Sequence, residues 1–186
     1  MYNILAAICW ARTQGLSLEL IKSAILNFRN VPGRLERVKS DKLSIFVDYA
    51  HTEDALKNVL NSLRPLTKNK IIVVFGCGGD RDKLKRPKMG RIVTELADYA
   101  IITNDNPRSE EPARIIKDIK AGISRNNYCV IEERDDAIMK SLDLASSGDV
   151  VLVAGKGHET YQILKNESIH FDDREVIREC LKSLRF

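Results

Sequence analysis

The chain has 186 residues, of which 44% are hydrophobic and 30% are charged, and its formal net charge is +4. These values are typical of a globular protein that is long enough for one well-buried domain. The densest basic run, residues 81–91, contains an acidic residue and no aromatic one, which argues against nucleic-acid binding through stacked bases in a basic groove. No apolar run approaches about 18 residues, so we expect neither a transmembrane segment nor a membrane partner.

Four cysteines are spread along the chain, with no CxxC pair and no histidine at zinc-ligand spacing; they are Cys9, Cys77, Cys129 and Cys180. Such isolated thiols are typical of a reducing compartment rather than of a disulfide framework or a zinc site. The first residues also lack the basic region and the cleavage site of a signal peptide. We therefore expect a cytoplasmic protein that holds no metal ion.

The first 30 residues predict two helices and no strand. One helix is predicted over 2–13, and apolar residues at three- and four-residue spacing predict a second over 17–30, with Ser17 at its N-cap. The Val31-Pro32-Gly33 break ends this pair, and we place a domain boundary there. Because the pair has no strand of its own, we expect it to be the end of a unit packed elsewhere.

After the break, the pattern changes to an alternation of strands and helices. Strands are predicted at 44–49, 70–75, 99–103, 128–131 and 150–153, with a short additional strand near 35–39. Helices are predicted at 52–63, 87–98, 111–123, 135–146 and 172–184. The strands are apolar without a period of two, which indicates burial on both faces. The predicted fold class is therefore α/β, with a mostly parallel sheet covered by helices on both faces.

Each strongly apolar strand ends in a polar loop that is rich in glycine or in asparagine and aspartate; these loops are residues 48–51, 76–82, 104–108 and 154–159. In a parallel sheet the loops that follow the strands share one edge, where open α/β sheets bind their ligands. The coincidence of four such loops is more informative than any one of them. It predicts a ligand site at this edge.

The loop at 104–108 presents an arginine at the end of a strand. Pro107 keeps Asn106 out of the helical region, so the chain cannot wind into a helix at once. The planar guanidinium of Arg108 is then suited to a carboxylate or a phosphate, which it can bind with two hydrogen bonds. The alternative is an ordinary turn that carries a solvated arginine.

The glycine-rich loop at 76–82 lacks a dinucleotide fingerprint, because Arg81 occupies the third glycine position of GxGxxG and no acidic residue ends the next strand. A free-standing nucleotide-binding Rossmann protein is therefore disfavoured. The sequence also contains no GxxxxGK[ST] motif, and hence no P-loop. The glycines would instead let backbone amides and Arg81 approach an anion closely.

The loop at 154–159 brings a carboxylate to the same edge. Its glycines would let the backbone approach a ligand, and Glu159 is suited to an ammonium group. Two arginines for carboxylates and one glutamate for an ammonium together indicate an amino-acid pocket. The simpler alternatives are that Glu159 starts the next helix and that Lys156 is solvated. In these alternatives, His51 forms a hydrogen bond within its own loop, and Asp48 accepts hydrogen bonds from the backbone amides of its turn.

Five sequence blocks follow one another along the chain; they are Val31-Pro-Gly-Arg-Leu-Glu, Val47-Asp-Tyr-Ala-His-Thr, Phe75-Gly-Cys-Gly-Gly-Asp-Arg-Asp, Asp105-Asn-Pro-Arg and Gly155-Lys-Gly-His-Glu. In this order they resemble the C-terminal portion of the Mur ligases, and the resemblance covers essentially the whole chain. It implies that residues 33–186 form a Rossmann-like C-terminal domain that presents an amino acid. Residues 1–32 would then be the last helices of an incomplete central ATPase domain.

The Asp-Asn-Pro-Arg block resembles the signature of family members that use diaminopimelate rather than lysine. The resemblance implies a diaminopimelate-binding set of Arg81, Asp105, Asn106, Pro107, Arg108, Gly155 and Glu159. It implies an ATP-binding set of Arg34, Asp48 and His51. The full-length enzyme would be an ATP-dependent ligase, with Mg²⁺, that adds meso-diaminopimelate to UDP-MurNAc-L-Ala-D-Glu in peptidoglycan biosynthesis. The sequence departs from the family pattern at Glu53 and Leu84, and neither belongs to the expected pocket.

The P-loop, the magnesium-binding residues and the carbamylated lysine of the family's central domain are not in this sequence. We therefore expect no catalytic residue within this chain, no ATP or Mg²⁺ bound by it alone, and no ligase turnover. ATP and the UDP-MurNAc dipeptide would be reached through the missing domains. Two alternatives stay open. One is a non-catalytic module that binds a partner through an exposed apolar surface on residues 2–28. The other is a related amide ligase domain of the folylpolyglutamate or cyanophycin type.

Overall fold

The computed structural model describes residues 2–184, and the chain divides between Val31 and Pro32 into two compact units. The first unit contains two helices, α1 (Tyr2–Thr13) and α2 (Leu18–Asn27), and the Ser17 side chain caps α2. Both predicted helices are confirmed, although the second ends at Asn27 rather than at residue 30. In the described part of the chain, no helix is long and apolar enough to cross a membrane. The assignment of residues 1–32 to an incomplete central domain stays a prediction.

The second unit is built on a six-stranded sheet. Its strands are β1 (Glu36–Val38), β2 (Ser44–Asp48), β3 (Ile71–Phe75), β4 (Tyr99–Ile102), β5 (Tyr128–Val130) and β6 (Val150–Ala154). The order across the sheet is β1-β2-β6-β3-β4-β5, and every neighbouring pair except β1–β2 is parallel. The helices are α3 (Glu53–Leu63), α4 (Lys85–Leu96), α5 (Pro112–Lys120), α6 (Arg134–Leu144) and α7 (Asp173–Ser183). The predicted α/β fold with a mostly parallel sheet is confirmed.

Helices cover both faces of this sheet, as predicted. On β3, Ile71, Val73 and Phe75 belong to the core formed with α3, α4 and α5. The alternate residues Ile72 and Val74 belong to the core formed with α6 and α7. Every residue of β3 and β6 is buried. Because both faces of these strands are covered, apolar residues stand at every position, which explains why the sequence shows no period of two.

A two-stranded antiparallel hairpin, β7 (Tyr161–Ile163) and β8 (Ser168–His170), separates β6 from α7 along the chain. No element is predicted for this segment, because neither Tyr161-Gln-Ile nor Ser168-Ile-His is an apolar run. The alternative in which Glu159 starts a helix is wrong, since β7 follows it. The hairpin contacts the loop after β4: Gln162 Nε2 donates to the carbonyl of Asp105 at 2.8 Å.

A buried ion pair joins the first residues of α6 and α7. Nε and Nη2 of Arg134 each donate to a carboxylate oxygen of Asp173 at 2.8 Å, and both side chains are fully buried. Arg134 also donates to the carbonyls of Asn104 and Ala154, at 3.2 and 3.1 Å. These two carbonyls lie where the chain leaves β4 and β6. The pair therefore fixes the starting points of two loops at the carboxyl-terminal edge of the sheet.

We predict that Asp173→Ala lowers the free energy of unfolding by about 3–5 kcal/mol, because it leaves the Arg134 guanidinium buried without a counter-charge. The matched control is Asp143→Ala, which removes an exposed partner of Lys140 and should change stability by less than about 1 kcal/mol. Urea unfolding followed by circular dichroism measures both. A loss for Asp173→Ala no larger than that of the control would contradict this assignment.

Candidate functional site

The loops that follow β2, β3, β4 and β6 lie at the carboxyl-terminal edge of the sheet, as expected for parallel neighbours. The chain leaves β3 for α4 on one face, whereas the chain after β6 leads to α7 on the other face. A crevice forms where neighbouring strands send their connections to opposite faces, and open α/β sheets bind ligands there. The candidate site therefore lies between the loops after β3 and β6, with the loops after β2 and β4 on either side.

The loop after β4 holds Arg108 in an uncommon conformation. Its φ is 53°, in the left-handed region that is costly for a residue with a side chain. Its backbone N–H donates to the carbonyl of Ile163 in the hairpin at 3.1 Å. Its Nη1 donates to the carbonyls of Gly79 and Asn106, at 2.9 and 3.3 Å. Within residues 2–184, Nε and Nη2 make no hydrogen bond, so this side of the guanidinium is available to a carboxylate.

The loops after β4 and β6 are joined by direct side-chain bonds. Asn106 Nδ2 donates to Glu159 Oε2 at 2.9 Å, which brings two of the predicted binding residues together. Lys156 lies between them, and its Nζ donates to Asn106 Oδ1 at 3.1 Å and to Glu159 Oε2 at 3.3 Å. The Lys156 side chain is fully buried, and this burial lowers the pKa of its ammonium. The alternative of a solvated Lys156 is wrong.

The same two loops also approach each other closely at Gly155. Its φ is 117°, and a Cβ there would lie 2.6 Å from Asp105 Oδ2. Both the backbone conformation and the space therefore require glycine. Asp105 is buried, and its Oδ1 accepts from the backbone N–H of Asn106 at 2.7 Å. These two predicted site residues are therefore direct neighbours on facing loops.

The loop after β3 contacts the loop after β4 through its backbone. The N–H of Gly79 donates to the carbonyl of Asn106 at 2.9 Å, and a Cβ on Gly79 would lie 1.9 Å from the carbonyl oxygen of Pro107. Pro107 is itself buried. Arg81 is exposed, and the structure describes no hydrogen bond from its side chain to another predicted binding residue. Its part in binding stays a prediction.

A second buried arginine, for which no sequence pattern predicts a role, connects these two loops. Arg86 is fully buried and donates to both oxygens of Glu110 at 2.8 and 3.0 Å. These bonds lower the pKa of Glu110 to about 2, so the carboxylate stays charged at neutral pH. Glu110 Oε1 in turn accepts from the backbone N–H of Asp80 at 2.7 Å, and Asp80 accepts from the Ser109 hydroxyl at 2.6 Å. Arg108 therefore lies in a rigid segment.

All four cysteines are free thiols, as predicted, and Cys77 lies in the loop after β3. Its Sγ is 3.6 Å from Met89 Sδ, and burial raises the pKa of the thiol to about 12. The protonated thiol is a poor nucleophile at neutral pH. Cys77 is therefore part of the packing beneath the site.

The predicted ATP-binding residues surround Tyr49 in the loop after β2. The exposed Arg34 guanidinium lies 4.8 Å from the centre of the Tyr49 ring, and the exposed His51 ring lies 4.6 Å from it. His51 Nδ1 is 2.8 Å from the carbonyl oxygen of Tyr49. Both oxygens of Asp48 accept from backbone N–H groups, those of Leu35 and Ala50, at 2.7 and 2.8 Å. The simpler roles of His51 and Asp48 as loop hydrogen-bonding residues are therefore observed, and contact with ATP stays a prediction.

The residues around Tyr49 are suited to the phosphates of ATP, whereas they do not identify the ligands of Mg²⁺. An exposed guanidinium such as that of Arg34 is suited to a phosphate group. Within residues 2–184, however, no three His, Cys, Asp or Glu side chains converge as metal ligands would. Because Mg²⁺ at nucleotide sites is usually held by one or two carboxylates together with phosphate oxygens, these residues do not identify its ligands.

The sequence was compared with protein families, known proteins and solved structures. The family model described as "Mur ligase, glutamate ligase domain" matches residues 33–157. The chain is 51% identical, over 99% of its length, to the UDP-N-acetylmuramoyl-L-alanyl-D-glutamate–2,6-diaminopimelate ligase of Clostridium botulinum, of which it covers 39%. It is 54% identical to the enzyme of the same name from Nostoc sp., over 96% of this chain and 37% of that enzyme.

Solved structures agree with this result. A structure of a UDP-N-acetylmuramoyl-L-alanyl-D-glutamate–2,6-diaminopimelate ligase matches with a TM-score of 0.80 and 38% identity, over 99% of this chain and 38% of that one. The alanine ligase MurC of Thermotoga maritima matches with a TM-score of 0.68 at 20% identity, over 98% of this chain and 37% of that one, which shows a shared fold alone. The chain thus spans about two fifths of the length of the curated relatives it matches. From the family match and this extent of identity, the chain belongs to the Mur ligase family.

Proposed function

We propose that this chain is the amino-acid-presenting part of an ATP-dependent ligase that adds meso-diaminopimelate to UDP-MurNAc-L-Ala-D-Glu in peptidoglycan biosynthesis. One observation carries the proposal. Only Nη1 of the Arg108 guanidinium is hydrogen-bonded in the described part of the chain, and the Glu159 carboxylate is partly exposed. The two loops that carry these groups are joined by a hydrogen bond of 2.9 Å from Asn106 Nδ2 to Glu159 Oε2. Relatives about half identical to this chain carry the name of that ligase.

The ligand carries two carboxylates and two ammonium groups, and the loops offer a partner for each type of charge. Nε and Nη2 of Arg108 would bind the distal carboxylate as a planar fork. Glu159, together with the backbone at Gly155, would receive the distal ammonium group. Arg81 would approach the carboxylate from the loop after β3. In this arrangement the other amine stays free to react.

The residues around Tyr49 would serve the nucleotide. Arg34 and His51 are exposed on the same side of the sheet edge, and we propose that they reach the phosphates of ATP. Asp48 would act by holding the turn that carries Arg34, since both of its oxygens are bonded to backbone N–H groups. When bound, ATP would supply the phosphoryl group that activates the dipeptide's carboxylate, with Mg²⁺ held by other domains. The part of this chain is to hold and orient the incoming amine.

A second candidate is a non-catalytic module that binds a partner protein. Its support is an apolar groove of about 700 Å³ within the first unit, formed by α1 and α2. Large apolar side chains lie exposed there; among them, Trp10 is 66% and Phe28 is 64% exposed. Such a patch is typical of an interaction surface. The ligase proposal also leaves this surface for a preceding domain, so the groove alone does not separate the two candidates.

The folylpolyglutamate type of ligase is less well supported. Solved structures of that type, such as the Mycobacterium tuberculosis folylpolyglutamate synthase, match with a TM-score of 0.61 at 18% identity, over 75% of this chain and 33% of that one. This likeness extends to the fold alone. The relatives that are about half identical carry the diaminopimelate name instead.

We predict that the chain binds meso-diaminopimelate about tenfold or more tightly than L-lysine, which lacks the distal carboxylate and would leave Arg108 unpaired. Arg108→Lys should remove most of this difference, because a point charge cannot replace a bidentate donor. Isothermal titration calorimetry measures the affinities. Arg114→Lys, on the exposed side of α5, is the matched control and should bind as the unchanged chain does. Equal affinity for the two amino acids would contradict the proposal.

We also predict that the purified chain forms no product from ATP, Mg²⁺, meso-diaminopimelate and UDP-MurNAc-L-Ala-D-Glu. Phosphoryl transfer depends on a phosphate cradle and bound metal ions, and this sequence contains no P-loop motif. Mass spectrometry of the UDP-MurNAc product measures the reaction, with a full-length diaminopimelate ligase as positive control. ATP-dependent formation of the tripeptide product by this chain would refute the prediction.

A further inference from the structure

We propose that Lys156 is a positioning residue, which sets the orientation of the Glu159 carboxylate that receives the ammonium group of the amino acid. This inference rests on the proposed function, since that function assigns Glu159 to the ligand. The motif resemblance gives Lys156 no role. Its side chain is fully buried, so it acts through its neighbours rather than by touching the ligand.

Three acceptors surround the Lys156 ammonium. Nζ donates to Asn106 Oδ1 at 3.1 Å, to Glu159 Oε2 at 3.3 Å and to the carbonyl of Tyr161. An ammonium group has three N–H donors, so each one has an acceptor. A single side chain thus joins the loop after β4, the loop after β6 and the first residue of β7.

Lys156 also fixes the amide of Asn106. Oδ1 of Asn106 accepts from Lys156 Nζ and from the backbone N–H of Ile163, the latter at 2.9 Å. Both partners are donors only, so the amide oxygen must face them and the amide nitrogen must face Glu159. Nδ2 then donates to Glu159 Oε2 at 2.9 Å. Lys156 therefore orients Glu159 both directly and through Asn106.

Both donors reach the same oxygen of Glu159. In the part of the chain that the structure describes, Oε1 makes no hydrogen bond, and the side chain of Glu159 is 16% exposed. The carboxylate is thus held by Oε2 and offers Oε1 to a ligand. This is the arrangement that an ammonium group needs, because the acceptor is already oriented before the ligand arrives.

The surrounding charges give Lys156 a second effect. Besides Glu159, the charged groups Asp105, Arg134 and Asp173 act on it. Since Arg134 pairs with Asp173, Lys156 is left to balance Asp105 and Glu159. Lys156 is therefore the counter-charge that lets these two carboxylates lie close together between the loops.

The test compares two ligands on the chain and on Lys156→Met. Pimelate keeps both carboxylates of diaminopimelate and has no ammonium group. We expect Lys156→Met to weaken meso-diaminopimelate binding about tenfold and to leave pimelate binding within about twofold, as measured by ¹H–¹⁵N NMR titration. Lys140→Met, which removes an exposed lysine, controls for net charge and should change neither affinity.

An unchanged affinity for meso-diaminopimelate, or an equal loss for both ligands, would overturn the role of Lys156. If the unchanged chain binds meso-diaminopimelate no more tightly than pimelate, the proposed function is wrong, and the inference fails with it. The two failures are therefore distinguishable.

A second pair of variants keeps the test valid if Lys156→Met does not fold. Glu159→Gln keeps the Lys156 ammonium near Asp105, Glu159→Gln/Lys156→Met removes both charges of the Lys156–Glu159 pair, and the NMR spectra of both variants report folding. Because Lys156 acts through Glu159, both should bind meso-diaminopimelate with the same affinity to within about twofold. A further loss in the double variant would contradict the inference.

Discussion

Two buried cations hold the loops after β4 and β6 together, and the candidate site depends on this junction. Arg134 fixes the starting points of both loops through the carbonyls of Asn104 and Ala154. Lys156 joins the loops farther along, through the side chains of Asn106 and Glu159. A buried cation requires acceptors in well-defined positions, because an unsatisfied charge in the interior is very unfavourable. The junction is therefore rigid, and rigidity is what recognition of a small zwitterion needs.

The arginine that would bind the distal carboxylate is held in a costly conformation by the structure around it. Arg108 has a φ of 53°. Its backbone N–H donates to the carbonyl of Ile163 in the hairpin, and its side chain donates to the carbonyl of Gly79. The loop after β3 is in turn braced by Arg86 and Glu110. Residues in sparsely populated conformations persist where their surroundings over-determine them, and this commonly occurs at ligand sites. The bonds from the hairpin and from Gly79, together with the Arg86–Glu110 pair, thus explain why this unfavourable backbone conformation of Arg108 is stable.

Periodicity and loop composition were sufficient to predict the sheet, its covering helices and the edge on which the polar loops meet. Strand order, the hairpin and the buried charges could not be predicted in this way. The hairpin strands contain polar residues and form no apolar run, and Lys156 stands between two glycines in a polar loop. Lysine and arginine are rarely fully buried, so a sequence gives no reason to expect it of Lys156, Arg86 or Arg134. Their burial follows from acceptors contributed by distant segments.

In the proposed function, these loops form one cradle for an amino acid with two acid groups. A crystal structure of the chain with bound meso-diaminopimelate would show where each charged group of the ligand lies. We expect one ligand carboxylate within about 3 Å of Nε or Nη2 of Arg108, and an ammonium group at a similar distance from Glu159 Oε1. A ligand bound elsewhere would contradict the account. So would an Arg108 guanidinium that faces away from Glu159 while other groups fill the space between them.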